Sequence, residues 1–128
     1  MVLLGIDYGQ RKIGLATAHG RLAEPYKVIR YKAEEEAFRQ ILRFVDLEKV
    51  DKIVVGISEG KSAGEARAFG ERLSHAVDVP VAYADETLST QTAQSLSIEA
   101  GIGRAKRKSL EDAFAAAVML QLFVDENV

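Results

Sequence analysis

The chain has no cysteine. Disulfides, thiolate nucleophiles and cysteine-based zinc centres are therefore excluded, and the redox compartment is left undecided by this route. Histidine is nearly as scarce. His19 and His75 stand alone and read as surface or packing residues, so any metal site has to be built from oxygen. No apolar run approaches the roughly 20 residues that cross a bilayer, and no membrane association is expected. The first residues lack a basic segment followed by an apolar stretch and a small-residue cleavage site, which makes the cytoplasm the expected compartment. No repeat, low-complexity tract or Pro- or Ser-rich linker divides the sequence. Its 128 residues predict one domain, 1–128, around one continuous core.

An excess of either charge is missing as well. Seventeen Lys and Arg against nineteen Asp and Glu leave a net charge of -2, which does not by itself announce a nucleic-acid partner. The charges are segregated, however. Residues 101–108 read GIGRAKRK and carry Arg104, Lys106, Arg107 and Lys108 with no acid among them, whereas residues 33–36 and 111–112 concentrate negative charge.

Periodicity supplies the elements. Residues 2–7 and 12–17 are β-like runs joined by Tyr8-Gly9-Gln10-Arg11, a connection of hairpin length. A third strand is expected at 28–31, after Pro25. Ala37, Ile41, Leu42 and Val45 then fall at helical spacing over 33–45. The run KIVVGI at 52–57 is short, continuous and β-branched, the pattern of a strand covered on both faces. A helix over 63–77, a strand over 80–85 and helices over 89–100 and 109–125 complete the order, with GIGRAKRK as a basic glycine loop between the last two. Three strands joined by short turns and then alternating with helices predict an α/β fold. Its sheet is mixed, with an antiparallel portion continued by parallel strands through right-handed crossovers.

Ligands of open α/β sheets sit beyond the carboxyl ends of the parallel strands. Asp7, Ser58-Glu59 and Asp85-Glu86 all fall at such ends. Asp7 is the most conspicuous, because VLLGID is otherwise a buried strand and an uncompensated interior carboxylate costs about several kcal/mol. Alternation of side chains lets only one of Asp85 and Glu86 share a face with Asp7, and the pattern alone leaves both open. Asp112 precedes the alanine-rich AFAAAVMLQLF, whose small side chains allow a helix to lie close to a sheet. Asp7, Asp112 and one of Asp85 or Glu86 would then form an oxygen-only cluster of the kind Mg²⁺ or Mn²⁺ prefers. Two such ions orient and deprotonate a water and stabilise the leaving oxygen of a phosphodiester. GIGRAKRK reads as a clamp for the polyanionic substrate, its cations meeting phosphates and its glycines letting the backbone approach them. Arg11 and Lys12 of the first turn join Arg104, Lys106, Arg107 and Lys108 as candidate nucleic-acid contacts.

GIDYGQRKIGLA at the first hairpin, VVGI in the fourth strand, DETLST after the fifth and KSLEDAFAAAVMLQ in the last helix together resemble the YqgF family, also called RuvX-like, of the RNase H-like superfamily. The resemblance runs nearly end to end. It implies an RNase H-like fold, a five-stranded mixed sheet with helices on both faces. It also carries the acidic site, catalytic and metal-binding, onto Asp7, Glu86 and Asp112, choosing Glu86 over Asp85. The implied activity is metal-dependent cleavage of nucleic acid. Maturation of the 5′ end of precursor 16S ribosomal RNA comes first, and resolution of branched DNA by a homodimer is the alternative to a monomer acting on structured RNA. Two departures stand out. Ser58-Glu59-Gly60-Lys61 follows the fourth strand where family members usually have Leu-Pro and a longer loop, and Thr87 stands where many have arginine.

Plainer readings compete with these. Asp7 could bond the amides of its own turn. Ser109-x-x-Asp112 fits a capping box, which would make Asp112 a helix-start residue. A non-catalytic RNA-binding or ribosome-assembly module would keep the same basic segment. GIDYG also resembles the phosphate loop of actin-like ATPases, but those clamp nucleotide between two such domains, and this chain has length for one.

Overall fold

The computed structural model describes residues 1–57, 61–85 and 104–126, with 61, 62, 85 and 104–110 entering as backbone positions. The element order is β1 (Val2–Asp7), β2 (Lys12–His19), β3 (Ala23–Arg30), α1 (Glu34–Leu47), β4 (Lys52–Ile57), α2 (Lys61–Ala76), β5 (Val81–Asp85) and α3 (Arg104–Glu126). The sheet runs β3-β2-β1-β4-β5. β1 pairs antiparallel with β2 and β2 with β3, whereas β4 runs parallel to both β1 and β5. This is the RNase H-like arrangement expected from the sequence. Among the described residues, no helix is long and apolar enough to cross a membrane.

Strand alternation sorts the core into two layers of different texture. Leu4, Ile6, Ile13, Leu15, Ile29, Ile53 and Val55 meet Ala37, Phe38, Ile41 and Val45 of α1 and Ala66, Phe69 and Leu73 of α2. Each fully buried aliphatic side chain contributes about 1.5–3 kcal/mol of transfer free energy, so this large-residue layer supplies most of the fold's driving force. The opposite layer is small. Leu3, Ala16, Ala18 and Val54 meet Ala116, Ala117, Met119, Leu120 and Val124 of α3, and a methyl group placed on Gly5 would already lie 3.0 Å from Leu120 Cβ. Helix α3 is therefore seated directly on the strand backbones.

Three readings differ from the expectation. β3 begins at Ala23 and carries Pro25 within it, because the edge of the sheet tolerates a residue without an amide hydrogen. A register shift in β2 between Leu15 and Ala16 lies opposite that segment. The second difference concerns the basic segment. Arg104, Lys106, Arg107 and Lys108 lie in the opening turns of α3, not in a loop; Arg, Ala and Lys are good helix formers and the helical backbone simply continues through them. Third, Ser109 is consequently an interior helical position, so the capping-box reading of Ser109 and Asp112 fails. The expected helix over 89–100 and the glycines at 101 and 103 lie outside the described residues.

Candidate active site

Asp7 closes β1, and its neighbours on both sides are glycines: it stands opposite Gly14 in β2 and Gly56 in β4. Leu3, Gly5 and Asp7 alternate onto one face, the face that Leu3 and Gly5 turn toward α3. The half-buried Asp7 carboxylate thus occupies a lane in which neither adjacent strand contributes a side chain. A carboxylate and its ligands need that room.

Helix α3 crosses the same lane. An ideal Cβ on Gly14 would fall 2.1 Å from the Asp112 carbonyl oxygen and 2.9 Å from the Ala113 nitrogen. Gly14 is therefore the point where β2 and α3 touch backbone to backbone, with Asp7 as its cross-strand partner on one side and Asp112 above it. Two of the three acids singled out in the sequence, 105 positions apart in the chain, are brought to one glycine. Among the described residues no three His, Asp or Glu side chains form a metal-sized group. Glu86, the third expected member, lies outside them, as do Ser58, Glu59 and Thr87.

Asp112 has a partner that sequence reasoning missed. Lys12 Nζ lies 3.0 Å from Asp112 Oδ2, with the two side chains 51% and 27% exposed. An ion pair this exposed contributes at most about 1 kcal/mol, so it positions the carboxylate without locking it. No local signal links residues so remote in sequence; only the seating of α3 on β2 does. Arg11, the other expected contact in the turn, is exposed.

The turn carrying Arg11 and Lys12 is braced from the opposite face. Tyr8 donates a 2.7 Å hydrogen bond to Glu34 Oε2, its ring stacks 4.9 Å from Phe69, and Gln10 donates to Glu65 of α2 at 3.0 Å. Tyr31 donates its hydroxyl to the Gly9 carbonyl and its backbone N–H to the Arg11 carbonyl. Arg72 pairs with Glu34 and Glu35. Burial first, then the Glu34 hydrogen bond and charge, push the Tyr8 phenol well above its usual value. Burial, the largest cause, likewise raises the Tyr31 phenol. Both phenols stay protonated at neutral pH and act as struts, not bases.

With this geometry in place, relatives identify the group. The family model described as "RuvX: Holliday junction resolvase" matches residues 1–126. The chain belongs to the RuvX family. A protein of Halothermothrix orenii named "Putative pre-16S rRNA nuclease" is 37% identical over 98% of this chain and 95% of its own length. One of the same name from Anaeromyxobacter sp. is 41% identical over 98% and 97%. Among solved structures, Thermus thermophilus RuvC in complex with a Holliday junction substrate superposes with a TM-score of 0.67 at 18% identity, covering 98% of this chain and 96% of that one. The fowlpox virus Holliday junction resolvase gives 0.66 at 12% identity, covering 98% and 99%. At such identities the RuvC and fowlpox likenesses speak for the fold. The enzyme class expected from the sequence, a nuclease, agrees with the RuvX family and with the names of its members.

Proposed function

We propose that this RuvX-family chain, acting as one domain, is a divalent-metal-dependent nuclease that trims the 5′ end of precursor 16S ribosomal RNA, with Asp7, Glu86 and Asp112 as its catalytic acids. The observation that carries the reading is the meeting of Asp7 and Asp112 at Gly14, in a lane cleared of side chains by Gly14 and Gly56. The resemblance of DETLST to the family's motif is what favours Glu86 over Asp85.

The donor set fits Mg²⁺ or Mn²⁺: carboxylate oxygen only, from separate elements, in a partly solvated lane. When bound, such ions supply a deprotonated water and neutralise charge on the phosphodiester. The chain's own residues do the rest. Asp7 is fixed by its strand, Asp112 by the contact of α3 with β2, and Lys12 offsets the Asp112 charge. Arg104, Lys106, Arg107 and Lys108 open α3 at the helix end where the macrodipole disfavours cations; phosphate contact is the gain that offsets this. One chain suffices for trimming RNA, so a monomer is adequate, whereas paired incision of a junction calls most simply for a two-fold dimer.

The test is to incubate the wild type and Asp7→Asn with precursor 16S RNA and with a four-way DNA junction, varying the divalent ion. Cleavage of the RNA by the wild type, absent in Asp7→Asn at unchanged binding, is the expected result. Junction cleavage without RNA cleavage would transfer the activity to the resolvase reading. Full activity of Asp7→Asn would remove the acidic site altogether.

A further inference from the structure

The end of strand β3 and the segment just past it bring two further cations to the site end of the sheet, Arg30 and Lys32. Arg30 is the direct antiparallel partner of Lys12, which sets the two cations side by side at this end of the β2–β3 pair. The surrounding backbone holds the arrangement firmly, because the Tyr31 N–H bonds the Arg11 carbonyl at 3.0 Å and the Tyr31 hydroxyl is given to Gly9. Arg11, Lys12, Arg30, Tyr31 and Lys32 together line a cleft of about 340 Å³. Four of those five residues are cationic and exposed, none is acidic, and the fifth is a tyrosine only 9% exposed.

We infer that this cleft binds a backbone phosphate of the substrate strand, next to the one being cut, through Arg11, Arg30 and Lys32. Lys12 joins the two places, since it lines the cleft and reaches Asp112 on its other side. The inference rests on the nuclease reading and adds a path for the strand: from the acids at Gly14 outward across β2 to the β3 edge. Phosphate is favoured over base. With the Tyr31 ring buried and its hydroxyl committed, the described lining offers no open aromatic face for stacking, and a lining of guanidinium and ammonium groups matches an anion. The contact is accordingly indifferent to sequence.

The experiment measures binding without cleavage, in EDTA, of two fluorescent RNA hairpins. They have the same secondary structure, one with the precursor 16S 5′ sequence and one permuted, between about 50 and 200 mM salt. Arg30→Gln/Lys32→Gln is expected to flatten the slope of log affinity against log salt by about 0.7 to 0.9, the contribution of one neutralised phosphate, equally for both hairpins. Lys27→Gln/Arg43→Gln, a charge-matched change on exposed or partly exposed positions away from the site, keeps the wild-type slope. Should Arg30→Gln fail to fold by circular dichroism, Arg11→Gln and Lys32→Gln carry the same measurement. A wild-type slope in the folded cleft variants, or a loss confined to one hairpin, overturns the cleft while a cutting wild type still upholds the nuclease reading. A wild type that binds neither RNA hairpins nor a DNA junction overturns both.

Discussion

Replacing Gly14 with alanine should damage both the stability and the activity of this protein, and the structure gives the reason in ångströms. The added Cβ would sit 2.1 Å from the Asp112 carbonyl oxygen, 2.3 Å from its carbon and 2.9 Å from the Ala113 nitrogen. All three obstacles are backbone atoms, so no rotamer change relieves them. Helix α3 must lift from β2 by roughly 1 Å, and overpacking of this kind costs about 1–3 kcal/mol or more. The same displacement separates Asp112 from Asp7, and a misplacement of about 1 Å in a catalytic constellation can cost on the order of 100-fold in rate. Urea denaturation should therefore show a clear drop in midpoint, and the folded variant, assayed well below that midpoint, should cleave precursor RNA about two orders of magnitude more slowly. Retention of both stability and rate would refute the idea that backbone contact at Gly14 sets the spacing of the two acids.

Other consequences follow from the same contacts. Lys12→Met removes the ammonium competing for Asp112. For a pair this exposed, about 0.2–1 kcal/mol, Mn²⁺ binding measured by calorimetry without substrate should tighten by roughly 1.4- to 5-fold; unchanged or weaker binding would speak against competition at Asp112. Gly64 lies inside α2, and a Cβ there meets nothing within 4 Å. Gly64→Ala should thus stabilise the protein by about 0.5–1 kcal/mol through helix propensity, read as a raised thermal midpoint at unchanged cleavage rate. The Tyr8 phenol is raised from 10.0, so the native state holds this proton more tightly than the unfolded chain. That stabilisation is complete below about pH 10 and is lost as the pH climbs above it toward the native value. The thermal midpoint should fall more steeply above about pH 10 in the wild type than in Tyr8→Phe; parallel curves would deny the Glu34 bond its role.

Much of the scaffold was legible because its signals are local. KIVVGI announces a buried parallel strand and Ala37, Ile41 and Val45 announce the buried stripe of α1, and both appear where periodicity puts them. The failures came where a local signal competed with context. Pro25 reads as a strand breaker until β3 is known to be an edge. The glycines of GIGRAKRK suggest a loop, whereas RAKRK by composition is helical and α3 takes it up. At the site, Asp7 and Asp112 were visible as acids in unusual settings. Their meeting was not, because it depends on a backbone contact at Gly14, and an absent side chain leaves little trace in a pattern of apolar and polar residues. Lys12 opposite Arg30 was hidden for the same reason, since it exists only once the β2–β3 register is set.

The two faces of the sheet accordingly do different work, and their textures explain why. On the α1–α2 face, large side chains and the Tyr8–Glu34–Arg72 network grip the β1–β2 turn. Position there is set by many contacts, so removing one strut should loosen the turn by degrees. On the α3 face, Gly5, Gly14, Ala16 and Ala18 let a helix backbone down onto strand backbones. Position there is set by hard-core contact, which yields little and fails abruptly. Catalytic acids profit from the second kind of placement, because carboxylates that must share a cation repel one another and would otherwise drift apart. A methyl group at Gly14 should therefore cost more activity than loss of the Tyr8 hydroxyl, even if the two variants were matched in stability. If the Tyr8→Phe enzyme proved the slower of the pair, the turn and not the helix would be what holds the acids together.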